Sequence, residues 1–295
     1  MKLDIPDFKA KAGEEQVRLG EEGVAHVLEA GRAWDLAPAL RAGGALIFPH
    51  FGLGVCGHQI AAAVHACLDS GAGRVLVLGV LHALTQELEE TRARVAQGGD
   101  PRQEPTWGIQ GPGLPRRQDW RDEFSLDHFL FLWQEETRHR GMAGPELVVR
   151  YPFLAGGHPE ILPGIEELRE VARNGVVVAT IDPVHHGIGY GHSPAEALAA
   201  EAGGLELARR QMEEGLALLR SDDYWGYHQH CVAVKSDGRD VGQVLRYLLG
   251  PLEGRVLDLT WEDMAPWYRK PAPTWVAGAL VELRPAEVES RGRPR

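Results

Sequence analysis

The segment ALIFPHFGLGVCGHQIAAAVHACL, residues 45–68, predicts the layout of the fold. Its apolar beginning is typical of a buried strand, Gly52 and Gly54 allow a sharp turn, and the small apolar residues after them are typical of a packed helix. Pro49 lacks a backbone N–H and ends the hydrogen-bonded ladder. The segment therefore predicts a strand, a turn and a helix, with His50 at the carboxyl end of the strand.

The same alternation of short apolar runs and amphipathic stretches continues along the chain. The strand candidates are 45–50, 74–82, 146–154, 175–186, 231–236 and 274–284, and the helix candidates are 58–71, 125–140, 193–220 and 240–250. This alternation predicts an α/β fold: a single domain over residues 1–285, with a central, mostly parallel or mixed sheet flanked by helices. The Gly/Pro-rich segment 96–120 is predicted to be a lid, a binding loop or a mobile segment, and residues 286–295 a flexible tail.

Composition argues against two classes of partner. The chain has 295 residues and a net charge of −11, without a long basic cluster, so we expect neither nucleic acid nor a membrane surface as partner. No apolar stretch reaches the roughly 20 residues of a membrane helix, and the N-terminus lacks the apolar core of a signal peptide. A cytoplasmic protein is predicted; a homo-oligomer is compatible with the sequence, which does not fix the oligomeric state.

Histidines stand at the ends of three predicted strands. His50 ends the first, His82 the second, and His185 with His186 the fourth. Because the carboxyl ends of strands line the binding crevice of open α/β sheets, these histidines are expected to converge. Each histidine alone is weak evidence, but the joint pattern predicts a transition-metal site or an acid/base cluster.

A third ligand is suggested by YWGYHQHCVAVKS, residues 224–236. His228, His230 and Cys231 crowd the predicted start of a strand, and a Cys231 thiolate would complete a His/His/Cys set that favours iron, copper or zinc. Cysteine is also a common small buried residue, and spacing leaves both interpretations open.

Other polar and aromatic residues allow two interpretations each. Asp182 either orients His185 or binds substrate, or else forms a turn before Pro183, and His192 either caps the following helix or reaches the pocket. Large aromatic residues that would wall an apolar pocket, or simply pack in the core, are Trp225, Tyr227, Trp261, Trp267 and Tyr268.

Five blocks in order resemble motifs of the Memo family over about residues 45–285. IFPHFGLGVCG resembles its Pro-His-Ala-Gly-Tyr block, RVLVLGVLHA its Val-Leu-Gly-Pro-Ser-His block, DEFSLDHFLFL its Glu-His-Ser-Leu-Glu helix start and IDPVHHGIGYG its Ser-Asp-Phe-x-His-x-Gly-x-x-Tyr-Gly. Cys231 falls where the family has Cys-Gly. The chain departs from these motifs at several positions, such as Phe124 and Val232, and resembles a divergent member.

The resemblance implies a fold similar to class III extradiol ring-cleavage dioxygenases. It implies His50, His82 and Cys231 as metal ligands, with Fe(II) the first expectation and copper or zinc as alternatives. Asp182 and His185 become the catalytic pocket residues, with His185 as the acid/base. Substrate-side positions are expected for His186, Tyr190 and His192.

Three functions remain open from the sequence. The first is a non-haem iron- or copper-dependent oxidoreductase that performs dioxygenase-like chemistry with dioxygen on a small substrate, for which an aromatic compound is one option. The second is a non-catalytic metal- or peptide-binding protein with a redox or scaffold role. The third is a zinc-dependent hydrolase, since histidine-rich sites also activate water.

Overall fold

A computed structural model describes residues 7–286. Its ten α-helices are α1 (Phe8–Gly31), α2 (Ala37–Arg41), α3 (Leu53–Asp69), α4 (Gln86–Ala96), α5 (Asp127–Arg140), α6 (Ile165–Arg173), α7 (Leu205–Arg220), α8 (Tyr224–Ala233), α9 (Val241–Leu249) and α10 (Ala265–Tyr268). Its strands are β1 (Ala45–Phe48), β2 (Arg74–Leu78), β3 (Gly108–Gln110), β4 (Glu146–Phe153), β5 (Val176–Thr180), β6 (Val184–Gly187), β7 (Leu252–Asp263) and β8 (Thr274–Pro285). Except for Ala286, the predicted tail at 286–295 lies outside the described residues.

The strands form one mixed sheet in the order β3-β4-β2-β5-β1-β8-β6, with β7 also paired to β8. Its centre is parallel: β2 pairs with β4 and β5, and β5 pairs with β1. β8 runs antiparallel to β1, β6 and β7. The predicted mixed α/β sheet flanked by helices is therefore confirmed.

Both faces of the central strands are covered by helices. Leu46 and Phe48 pack into one apolar core, while Ala45 and Ile47, which alternate with them along β1, pack into the other. Helices α1, α3 and α5 contact one another over the first core, and α6, α7 and α9 lie over the second. Burial on both faces explains the nearly continuous apolar runs of the parallel strands.

Several predicted elements differ from the structure. The predicted strand 231–236 is wrong, because Cys231 belongs to α8, whose first turn is capped by the Asp223 carboxylate accepting from the Gly226 N–H. The predicted strand 175–186 is two strands, since Pro183 interrupts the ladder between β5 and β6. The predicted helix 193–220 begins as an α-helix only at Leu205.

The structure also contains elements that the sequence did not indicate, namely α1, α2, α4, α6, α10, β3 and β7. Across residues 7–286, none of the helices combines the length and apolarity needed to cross a membrane.

Candidate metal centre

Two histidines meet at the carboxyl edge of the parallel strands. His50 follows β1 by two residues, and His82 follows β2 by four. β5, which lies between these strands in the sheet, ends at Thr180 and leads into Asp182. The ring centroids of His50 and His82 are 5.2 Å apart. The strand ends thus bring together two side chains that are distant in sequence, as the sequence predicted.

The third donor beside these histidines is Asp237. It lies between α8 and α9, and its Oδ2 is 3.3 Å from His50 Nε2 and 3.7 Å from His82 Nε2. Its Oδ1 accepts a 2.9 Å hydrogen bond from the Asp182 backbone N–H, which fixes the loop against the end of β5. Donor atoms of His50, His82 and Asp237 all lie within 4.8 Å of one another.

The tautomer of His50 follows from its neighbour. The Thr180 hydroxyl donates its hydrogen to the Phe48 carbonyl at 3.0 Å, so it accepts from His50 Nδ1–H at 2.8 Å. A neutral imidazole that donates from Nδ1 carries a lone pair on Nε2. That lone pair faces the Asp237 carboxylate rather than a hydrogen-bond donor.

A buried carboxylate orients His82 in the same way. Glu123, 1% exposed, accepts from the backbone N–H of His82 at 2.6 Å and from its Nδ1–H at 2.9 Å. It also accepts from the N–H groups of Phe124 and Ser125. Burial raises the pKa of Glu123, but the charge and hydrogen bonds of His82 outweigh burial and leave it at about 2. His82 Nε2 is thereby directed towards Asp237.

The donor atoms at this edge fit a cation. His50 Nε2 and Asp237 Oδ2 are buried and have no hydrogen-bond partner among residues 7–286. Donors that each lie about 2.1 Å from a metal in tetrahedral or octahedral geometry are roughly 3.0–3.4 Å apart, close to the separations here. Second-neighbour contacts from Thr180 and Glu123 are those that orient histidine ligands in metalloproteins. The three residues therefore form a site that suits a divalent transition metal.

Without a metal, a proton must take the place of that cation. Burial lowers the pKa of His82, but Glu123 and Asp237 outweigh it and raise the value to about 10. Burial also lowers the pKa of His50, but the charges of Asp182 and Asp237 outweigh burial, and the pKa of His50 is raised. Burial raises the pKa of Asp237, yet His50 and His82 leave it well below its usual range. Burial raises the pKa of Asp182 to about 7.

His185 lies beside His50, His82 and Asp237, but its pKa is shifted in the opposite direction from those of the other two histidines. Its Nδ1–H donates to the Lys235 carbonyl at 2.7 Å, and a donor atom of its ring lies within 4.8 Å of Asp182 and Asp237. Burial lowers the pKa of His185 to about 4, so the ring is neutral at pH 7 and able to accept a proton. The Tyr190 ring contacts it edge-on at 4.8 Å.

These groups line a cavity of about 340 Å³. Its aromatic and apolar walls include Phe8 of α1, Phe124, Tyr190, Met264, Trp267 and Tyr268. Of the aromatic residues proposed from the sequence, Trp267 and Tyr268 line it, whereas Trp225, Tyr227 and Trp261 do not. Residues of α1 also line the cavity, and no residue of the segment 96–120 does.

Two of the expected substrate-side residues lie elsewhere. His186 follows His185 on β6 and therefore points to the opposite side, where its Nε2 accepts from the Leu198 N–H. His192 packs on His186 with ring centroids 4.3 Å apart, and His186 in turn packs on Trp275 at 5.0 Å. Neither histidine lines the cavity, and only Tyr190 of the three does.

Cys231 is not brought to the two histidines. It packs against Leu219 and Tyr227 and lines a separate cavity of about 50 Å³, and it belongs to neither donor group among residues 7–286. Burial raises the pKa of its thiol to about 12, which disfavours the thiolate that metals bind. Asp237, and not Cys231, lies beside the two histidines, because Cys231 belongs to helix α8 rather than to the predicted strand 231–236.

The other candidate third ligands are also engaged elsewhere. His230 shares a 2.8 Å hydrogen bond with the Gln211 carbonyl, and His228 stacks on Trp225 at 5.1 Å. The sequence reasoning missed Asp237 and Glu123. The pattern Ser-Asp-Gly at 236–238 offered a weak turn signal, and nothing local marked Glu123 as a partner of His82.

No protein-family model matches this chain, and a comparison with curated proteins finds no match either. The resemblance to the Memo family remains a prediction from motifs.

Proposed function

We propose that this protein is a non-haem metal-dependent oxidoreductase, with dioxygenase-like chemistry on a small aromatic substrate. The observation that carries the proposal is the set of His50, His82 and Asp237, whose Nε2 atoms and carboxylate oxygen face one another in an aromatic-walled cavity. Two histidines and one carboxylate with open positions favour iron(II), the metal of many oxygenases.

The roles of the residues follow from their contacts. His50, His82 and Asp237 would hold the metal, and Thr180 with Glu123 fix the two rings. Bound iron(II) would supply a redox-active Lewis acid at which substrate and dioxygen meet.

His185 is placed to handle the substrate proton. Because it is neutral at pH 7 and donates from Nδ1 to Lys235, its Nε2 can accept a proton from a substrate hydroxyl and return it later. Aromatic side chains on the other walls would orient a ring and exclude water.

The test compares metal content in matched variants. Protein is purified without a chelating tag and reconstituted anaerobically with iron(II), copper or zinc, and bound metal is measured by elemental analysis. We expect about one iron per chain in the native protein and in Cys231→Ala, and a loss of at least roughly tenfold in affinity in His50→Ala and Asp237→Asn. Oxygen consumption with catechol-type substrates is then followed in the iron form.

Each alternative has its own outcome. Metal retained in Asp237→Asn but lost in Cys231→Ala would restore the His/His/Cys set and contradict the proposal. Zinc with ester hydrolysis and no oxygen consumption would indicate a hydrolase. Metal and ligand binding without turnover would indicate a binding or scaffold protein.

A further inference from the structure

Two arginines line the same cavity and are not used by the metal site. Arg92 projects from α4, and Arg239 lies two residues after Asp237. Both side chains are partly buried. Their placement puts two guanidinium groups beside the candidate metal centre.

Neither arginine has a carboxylate partner. Within residues 7–286, neither forms an ion pair shorter than 4.0 Å, and the Nε atoms of both are buried without a hydrogen-bond partner. Arg92 uses one Nη2–H, which donates to the Leu81 carbonyl at 2.7 Å. Arg94, two residues further along α4, contrasts with them because it binds Glu104 through two hydrogen bonds of 2.8 Å.

The two guanidinium groups also repel each other. Burial and then the charge of Arg239 lower the pKa of Arg92 to about 10, which still leaves it charged at pH 7. Asp240, Glu89 and Asp237 attract Arg92, but within the described residues none of them lies within ion-pair distance of its guanidinium group. Buried N–H donors of like charge without acceptors are costly unless a ligand supplies the acceptors.

We propose that Arg92 and Arg239 bind the carboxylate of the substrate, so that the substrate class of this site is a small aromatic carboxylate. Guanidinium groups bind carboxylates through paired N–H donors, and the aromatic walls suit the ring. The cavity of about 340 Å³ lies at the lower end of the range for small-molecule sites. The reaction at this ligand rests on the proposed oxidoreductase function, whereas the recognition of the carboxylate needs no metal.

The experiment measures binding of benzoate by calorimetry to the full chain, first metal-free in chelator and then with iron(II) without oxygen. Benzamide serves as the neutral analogue of the same shape. The variants are Arg239→Gln and Arg92→Gln, with Arg94→Gln as the matched control on α4. We expect benzoate to bind the native protein and the control equally, each test variant to bind roughly tenfold more weakly or worse, and benzamide to bind far more weakly than benzoate.

The proposal would be overturned by no benzoate binding at millimolar concentration, by equal binding of benzamide, or by unchanged benzoate affinity in Arg239→Gln. Tighter binding of inorganic phosphate than of benzoate would also overturn it, in favour of a phosphorylated ligand. Arg239→Gln decides if Arg92→Gln fails to fold, since the Arg239 side chain makes no hydrogen bond within the described residues. If His50→Ala no longer binds iron but still binds benzoate, the result supports the metal site and the carboxylate site separately. If the native protein binds benzoate but no metal, the result contradicts the proposed oxidoreductase function and leaves the carboxylate site standing.

Discussion

At the scale of single residues, the candidate site depends on two neighbours that set the histidine tautomers. Thr180 has one hydroxyl hydrogen, and it goes to Phe48, so only an acceptor remains for His50. Glu123 offers only acceptors to His82. Both rings therefore direct their Nε2 atoms at Asp237 before any metal arrives. This preorganisation reduces what a metal must rearrange on binding.

Replacing Glu123 by Gln is expected to weaken metal binding by roughly 10- to 100-fold. The carboxylate accepts from four N–H groups, and an amide has only one oxygen to offer them. We also expect a loss of about 3 kcal/mol in the free energy of unfolding, because His82 loses its buried partner. Metal titration and urea unfolding measure the two effects.

The control for that variant is Glu146→Gln, at an exposed carboxylate paired with Arg74. It is expected to change stability by less than about 0.5 kcal/mol. Equal metal affinity in Glu123→Gln and native protein would show that Glu123 does not orient His82.

The pair of His82 and Glu123 makes the stability of the metal-free protein depend on pH. The pKa of His82 is raised to about 10, so its contribution is complete below about pH 6.5 and is lost as pH rises towards 10. The pKa of Glu123 is lowered to about 2, so its contribution is complete above about pH 4.5 and is lost as pH falls towards 2. The stability difference between native protein and Glu123→Gln should be largest between about pH 4.5 and 6.5 and shrink above it. Urea unfolding in chelator at pH 5.5, 7.0 and 8.5 measures this difference, and a difference that stays constant would contradict the assignment.

At the scale of elements, local signals identified the strands that lead into the candidate site but not every connection. β1, β2 and β5 were predictable because buried parallel strands are apolar on both faces, and Pro49 and Pro183 interrupt their ladders. Residues 231–236 resemble a strand in composition, yet Tyr227 and Cys231, one helical turn apart, are both buried on α8. Tertiary packing therefore decided between the alternating burial of a strand and the helical burial that is observed.

The crossing of α1 and α3 depends on the last residue of α1. A Cβ at Gly31 would lie 2.6 Å from Ala61 Cβ and 2.8 Å from the Ala62 backbone nitrogen. Gly31→Ala should therefore push the helices apart and cost about 1–3 kcal/mol in unfolding free energy. A Cβ at Gly13, on the same helix, would meet nothing within 4 Å, so Gly13→Ala should stabilise by about 0.5–1 kcal/mol. Urea unfolding of both variants checks the prediction, which fails if Gly31→Ala is as stable as Gly13→Ala.

At the scale of the whole molecule, the candidate centre joins segments from distant parts of the chain. The candidate ligands come from after β1, after β2 and from the loop between α8 and α9, and residues of α1 also line the cavity. Metal bound there would link these segments in the folded state only. Ligand binding to the folded state alone raises stability in proportion to the logarithm of the metal concentration.

Metal should therefore raise the thermal midpoint of the whole chain. At a free iron(II) concentration 100-fold above Kd we expect about 2.7 kcal/mol, or roughly 5–10 °C, reversed by chelator. Anaerobic calorimetry measures the shift, and Asp237→Asn, which should bind at least roughly tenfold more weakly, should show at most about half of it. A comparable shift in Asp237→Asn would place the metal at another site.

The sequence by itself determined the α/β class, the strand, turn and helix around residues 45–68, and the placement of His50 and His82 at strand ends. These follow from local physics, because the period of apolar residues and the geometry of proline and glycine act within a few residues. Only the tertiary structure decided the third donor, the orienting residues and the two arginines. Asp237 reaches the histidines through a hydrogen bond to Asp182, 55 residues earlier, and Glu123 reaches His82 across 41 residues. Such contacts depend on how helices pack on the sheet, which no local pattern encodes.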